Sequence, residues 1–463
     1  MKKRIILIAL AGVILAGCAT VDKRLELFHS VREMVVRQRY EEAIATISGE
    51  EKDILYNKKS EVVFLLDMGF LHHYAGNYEE SNEFLTQAEY RIEELYTESI
   101  SDIAASLLTN DNALQYAGED YEDLYTNIIK AINFIKLNSF DGAFVEINRL
   151  NNKLNLLEDK YKKLAEKYNK SGKMVDEIDT QSVNFYSSAL GRYLSHLIYY
   201  TEGQYGDAEL DLKKIDEAFE TQKAYYDFKQ PNLTLDEETT DVKVSVLCYG
   251  GPSPVKDYTT YRIKSAGNLI IIIKESTSQS GQKSTERVGA FPFPGVGDNF
   301  YTKIEVPRMV KRNSRIASIR VAVDGDDTGS AQLFESVNNI AIGTFKIKES
   351  LIYLKTITRA MVKGVGSAAA SSAIERASGS GALGFLSGLV FGAATEVSEK
   401  ADVRISRFLP ARFYVKEMYL PPGQHSISVE YLNDAGNVLY THYIEDYEVT
   451  DNKVNLVSSY YLD

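Results

Sequence analysis

The chain has 463 residues and a formal net charge of −13, with 65 Asp and Glu against 52 Lys and Arg. That balance makes nucleic acid or a broad anionic lipid surface a poor partner. The length allows two or three domains, each able to bury a core. Only two cysteines, Cys18 and Cys248, are present, so no disulfide framework is available once Cys18 is used elsewhere.

The stretch MKKRIILIALAGVILAGC opens with Lys2, Lys3 and Arg4 and continues as an apolar run from Ile5 to Leu15. This is an export signal, too short and wrongly flanked for a stable membrane span. Leu15-Ala16-Gly17-Cys18 resembles a bacterial lipobox, which implies acylation of Cys18; the plain alternative is a secretory signal that happens to contain a Cys. At about 0.8 kcal/mol per buried CH₂, two acyl chains suffice for anchoring. Ala19 and Thr20 follow Cys18 with no Asp, a pattern that resembles lipoproteins sorted to the outer membrane. The mature chain is therefore expected on the bacterial cell envelope, facing the periplasm.

From Val21 to about Lys229 the apolar residues recur at helical spacing, and no Pro occurs before Pro231. A local pattern returns in RQRYEEAIATI, AGNYEESNEFL, LNSFDGAFVEI and EGQYGDAELDL. In each, an aromatic stands three residues before a small residue, with Leu or Ile four later. This resembles the turn and second helix of a tetratricopeptide repeat. Gly69, Gly76, Tyr78, Ser81 and Ala88 sit at or near the characteristic positions, and Ala143 and Ala208 are the corresponding small residues further on. Gly69 and Ser81 allow close helix crossing, Gly76 closes the turn, and Tyr78 packs across it. The aromatics Tyr40, Tyr78, Phe140 and Tyr205 are spaced more widely than one repeat, so a helical array without true repeats stays open. Either reading gives an α-solenoid with a groove for a peptide or partner helix. His72 and His73 are adjacent on a helix and point apart, so they read as packing or groove residues.

Residues 230–241, with Pro231 and an acidic cluster, read as a linker with few contacts across it. Period-two runs then begin: VKVSVLCYG, NLIIIIKES and SIRVAVDG, with Pro and Gly gathered between them. Three more strands follow Ala411, separated by Pro421-Pro422-Gly423 and by Asn433 to Gly436. The expected fold is α + β: a tetratricopeptide-like domain over 18–229, then a β-sandwich-like domain over 242–463. An α-hairpin is inserted at about 331–400. Its second arm carries Gly384, Gly388 and Gly392 four apart. Three readings of that stripe remain: close packing inside one fold, a homo-oligomeric interface, or a membrane hairpin. Cys248 lies in an apolar strand and reads as buried and inert.

Several short segments also match in order a bacterial lipoprotein family with tetratricopeptide-like helices. They are Asn110-Asp111, YAGEDYE at 116–122, KAINFI at 130–135, GAFVEINR at 142–149, Ala401-Asp402 with Arg404, LPAR at 409–412 and LPPGQH at 420–425. The family often has a Trp shortly after the AD.R element, where this chain has Ile405 and Ser406. The resemblance implies an envelope lipoprotein and supplies no activity. No catalytic motif of a hydrolase, nucleotide-binding or metalloprotease type occurs, so neither an enzyme nor a cofactor or metal site is expected. The expected function is a lipid-anchored scaffold or adaptor that binds an envelope protein through the helical groove. The alternative is a homo-oligomeric, membrane-associated assembly component built on the glycine-rich hairpin.

Overall fold

The computed structural model describes residues 23–101, 114–170, 185–236, 239–277, 283–292, 300–365 and 400–463. Cys18, Gly384, Gly388 and Gly392 lie outside the described residues. A helix over 23–36 (α1) turns into α2 (Tyr40–Ser48), and a short α3 (Lys52–Leu55) leads to α4 (Glu61–Ala75) and α5 (Tyr78–Ser101). Two more hairpins follow: α6 (Asp120–Lys136) with α7 (Phe140–Lys170), and α8 (Ala189–Thr201) with α9 (Tyr205–Thr221).

The recurring sequence pattern is the turn of these four hairpins. Gln38, Gly76, Asn138 and Gly203 all hold a left-handed backbone, with φ of 63°, 84°, 53° and 71°. Each precedes its aromatic by two residues. The next amide then reaches back five residues: Arg39 to the Met34 carbonyl (2.8 Å), Asn77 to His72 (2.9 Å), Ser139 to Phe134 (2.8 Å) and Gln204 to Tyr199 (2.8 Å). This is a Schellman closure, which satisfies carbonyls left over at the helix end. The aromatic opens the second helix in every case, and Ala43, Ser81, Ala143 and Ala208 are buried behind it. Between α4 and α5 the Ser81 hydroxyl donates to the Gly69 carbonyl at 2.7 Å. A Cβ on Gly69 would lie 2.5 Å from Leu85 Cδ2. Ala88 is buried too, and the Tyr78 ring sits 6.0 Å from that of His73 across the turn. Consecutive helices from α4 to α9 pack in chain order, and the first helices of successive hairpins also touch.

The β elements are β1 (Val242–Pro252), β2 (Val255–Ala266), β3 (Leu269–Thr277), β4 (Lys283–Pro292), β5 (Tyr301–Val310), β6 (Ser318–Val323), β7 (Asp326–Ser330), β8 (Gln332–Glu335), β9 (Pro410–Leu420), β10 (Gly423–Leu432), β11 (Val438–Val449) and β12 (Asn455–Tyr461), with α10 (Val337–Val365) between β8 and β9. They form three sheets. The central one has the order β12-β1-β9-β8, the outer one β11-β10-β6-β7, and the third β4-β3-β2-β5. All pairings in these sheets are antiparallel except β1 with β12, which runs parallel from Val244↔Asn455 to Gly250↔Tyr461. The insertion begins later than the sequence suggests. Residues 332–335 are a strand that pairs with β9 across the insertion, and helix starts only at Val337. α10 runs along β5, with the Tyr353 ring 5.0 Å from Tyr261.

The central sheet is covered on both faces. Val244, Val246 and Cys248 of β1 belong to a cluster shared with Ile319, Val321, Ile427 and Val429 of the outer sheet. Leu247 and Tyr249 face the other way, into a single cluster with the helices that runs from Phe28 to Leu462. The polar positions of the β1 alternation therefore do not meet solvent. Lys243 and Ser245 are buried against the helices, Lys243 paired with Glu417 at 3.1 Å and Ser245 bonded to the Tyr193 hydroxyl at 2.6 Å.

Segment 230–241 thus divides helix from strand along the chain but not in the core. Its own backbone is tied down as well. The amides of Asn232, Thr234 and Asp236 donate to Gln332, Glu417 and the Tyr419 hydroxyl at 2.9, 2.9 and 3.1 Å. The expected scarcity of contacts across it is not found. Alternation alone cannot tell a strand with one wet face from one whose polar side chains are buried and paired.

Glu335 of β8 concentrates this junction. Its carboxylate accepts from the hydroxyls of Tyr125 (2.8 Å), Ser188 (3.0 Å) and Tyr226 (2.9 Å) and from the Leu190 amide (3.0 Å). Glu335→Ala leaves those buried donors without an acceptor, each orphan costing ~1–3 kcal/mol. Urea unfolding followed by circular dichroism should show a loss of about 3 kcal/mol or more, in a single transition. Helix and sheet signals that melt separately would contradict the shared core.

Candidate functional site

The segment 116–122 and the stretch 401–412, which holds the AD.R and LPAR elements of the family resemblance with Ile405 and Ser406 between them, converge on the N-terminal helices. The Glu122 carboxylate accepts from the Tyr116 hydroxyl (2.6 Å), the Glu119 amide (2.7 Å) and the Ser406 amide (2.6 Å). The Glu119 contact is the backbone half of a capping box at the start of α6. The Asp67 carboxylate of α4 accepts from the Ser406 hydroxyl (2.7 Å), the Arg407 amide (3.0 Å) and the Tyr56 hydroxyl (2.9 Å). Both carboxyls are fully buried, and burial pushes Asp67 up to about 6 and Glu122 up to about 7 despite these donors. Arg312 completes the clasp. Its guanidinium donates to the Ser253 carbonyl (2.6 Å) and hydroxyl (3.0 Å) and to the Arg407 carbonyl (3.2 Å).

Beside this clasp lies a cavity of about 180 Å³, walled by α1, the start of α4 and residues 403–407. Arg24, Arg404 and Arg407 line it, with Phe28 and Ser60. The Arg407 guanidinium carbon stands 4.3 Å from the Phe28 ring centroid and that of Arg24 5.5 Å. Cation–π contact thus positions both. Arg404 is held differently, by Asp402 at 2.7 Å and by the carbonyls of Lys59 (2.7 Å) and Leu114 (3.1 Å). Among the described residues neither Arg24 nor Arg407 has a carboxylate within ion-pair distance or an acceptor for its guanidinium. Burial lowers both pKa values; for Arg24, repulsion from Arg407 lowers it further. A concentration of positive charge therefore sits in a chain that is acidic overall.

Other expected positions resolve as packing. His73 is buried, its Nδ1 2.6 Å from Asn133 Oδ1, and burial lowers its pKa to about 4. His72 stacks on Phe84 at 5.3 Å. Cys248 is buried, and that burial pushes its thiol well up. Among the described residues no three His, Cys, Asp or Glu side chains are grouped to hold a metal, and no helix is long and apolar enough to cross a membrane. The sequence reading named Arg404 only as part of a motif and did not single out Arg24 or Arg407. The available signal was local. Arg404, Arg407 and Arg412 recur through the short stretch RISRFLPAR, whose other residues are apolar except Ser406. No protein-family model, curated protein or solved structure matches the chain.

The two raised carboxyls give a pH signature. Each has a folded pKa above its unfolded value, so protonation favours the folded state. Their penalty is complete above pH ~7 and fades as the pH falls toward the unfolded values near ~4. His73 and His196, both lowered to about 4 chiefly by burial, act in the opposite sense between about 6.5 and that value. Comparison with Glu122→Gln separates the two. The wild-type stability relative to the variant should rise by about 1–3 kcal/mol from pH 8 to pH 5, read from urea unfolding. A difference that does not change with pH would rule out Glu122 as the titrating group.

Proposed function

We propose that the chain is a lipid-anchored scaffold of the bacterial cell envelope, tethered through acylated Cys18 and facing the periplasm from the outer membrane. It belongs, on this reading, with lipoproteins built on tetratricopeptide-like helices, and it docks an envelope protein. The hairpins with their repeated Schellman turns support a solenoid ancestry. The face on which the partner sits differs from the expected groove. The first helices of the hairpins turn inward: Tyr74, Tyr125 and Tyr193 are buried and bond to Phe408, Glu335 and Glu417 of the β half. The chain's own sheet occupies that side.

One observation carries the choice of the opposite side. On the three hairpins from α4 to α9, every large apolar side chain that is strongly exposed among the described residues lies on a second helix. These are Tyr90 and Tyr96 on α5, Val145 and Leu156 on α7, and Leu210 on α9. Leu156 is 70% exposed. Single exposed apolar residues are common, so their restriction to one set of helices is the informative feature.

Two experiments test this. Cys18→Ala should move the protein from the membrane pellet to a soluble or unprocessed form. A variant that is correctly processed and still pellets after a high-salt wash contradicts the anchor. Leu156→Glu and Leu210→Glu should remove the partner captured by cross-linking in intact envelopes, with stability changed by only about 0.5 kcal/mol. Capture that survives both substitutions excludes this face.

A further inference from the structure

We infer that the cavity between α1 and residues 403–407 is an oxyanion site that takes a phosphate-class group between Arg24 and Arg407. The two guanidiniums share one aromatic platform, so their carbons lie no farther apart than the sum of their distances to Phe28. Neither has an acceptor among the described residues, and both are partly shielded from water, so each gains from an anion that supplies one. Asp67 does not supply it. Its oxygens are taken by Ser406, Tyr56 and the Arg407 amide, not by the guanidinium. Arg404 is engaged by Asp402 and contributes direction to the wall rather than free donors.

A second feature points the same way. Ser60, in the cavity wall, is the N-cap of the 15-residue helix α4. The positive end of that helix dipole adds to the field of the arginines. One guanidinium fork satisfies a planar carboxylate. Two forks lining one cavity, with a helix end also in its wall, suit a tetrahedral anion with three or more acceptor oxygens. The volume of about 180 Å³ admits a phosphate group, and is below the ~300–1,000 Å³ usual for larger ligands.

The phosphate has two sources, a lipid headgroup or free phosphate. The headgroup source rests on acylation of Cys18. Arg24 follows Cys18 by six residues, and a fully extended chain spans only ~3.3–3.6 Å per residue. An acylated Cys18 therefore keeps this cavity within about 20 Å of the lipid surface. Leu25 and Val403 line the cavity with substantial exposure, 59% and 41%. The overall charge of −13 does not oppose such binding, because fields decay within about 8–10 Å in physiological salt.

The test uses acyl-free chain from residue 19 onward, which keeps every described residue. Inorganic phosphate is titrated by calorimetry at low salt. Vesicles of phosphatidylcholine with phosphatidylglycerol are tested by flotation. Saturable one-to-one phosphate binding is expected, weakened about tenfold or more in Arg24→Gln and in Arg407→Gln. Arg37→Gln, which alters an exposed residue just after α1 that pairs with Glu33, should leave binding unchanged. Vesicle binding with the same sensitivity, competed by free phosphate, identifies the headgroup source; phosphate binding alone identifies the free anion. Melting temperature checks the fold, and Arg24, half-buried on α1, serves if Arg407→Gln unfolds. No binding in either arm, or binding indifferent to both substitutions, overturns the assignment. The phosphate arm reads the site even if Cys18 proves not to be the anchor.

Discussion

A carboxylate taken out of water must find donors, and Glu335 on the central sheet finds its donors in the helical half. The same condition recurs along the junction. Asp67 and Glu122, both on helices, are satisfied by residues 406 and 407 as well as by local tyrosines. Glu417 on β9 is satisfied by Tyr193 and Lys243. Hydrophobic area holds the layers together without choosing how they align. These bonds, costly to break and short in reach, fix the alignment.

Tyrosine is the residue that makes such a junction workable. It brings a large apolar ring and one hydroxyl, so it fills a core and ends on an acceptor. Tyr74, Tyr125, Tyr193 and Tyr226 each do this between a helical segment and the β half. The chain has 31 tyrosines and no tryptophan, and this layer uses them heavily. Around His73 the rings of Tyr74, Tyr249 and Tyr460 meet edge-on at 5.4 to 5.6 Å.

How much of this could be read in the sequence depends on range. The helical hairpins were legible because their turn chemistry is local, with the αL residue, the aromatic and the small residue falling within six positions. The strands were legible too, since VKVSVLCYG and SIRVAVDG alternate. What could not be read was which faces meet. The buried pairing of Lys243 with Glu417, or of Tyr193 with Ser245, joins residues that no local period relates. The cavity at Arg24 has the same difficulty. It is assembled from α1, α4 and a segment nearly four hundred residues later, and only Arg404 carried a motif. Alternation along β1 does not tell a wet face from a covered one, and the central sheet buries Lys243 and Ser245 on its second covered face.

The parallel pairing of β1 with β12 sets a condition on how the protein is made. Val244 meets Asn455, roughly 200 residues further along the chain, and the inner helix faces rest on the sheet that this pairing completes. Helical hairpins of this kind can form early, from neighbouring residues. Their tyrosine-rich inner faces then wait, bare, until residues 455–461 arrive. A chain made from its first residues onward would spend that interval exposed and dependent on its surroundings to avoid aggregation. An interrupted chain would never leave it, so proteases would have an open substrate whenever synthesis stopped short of β12.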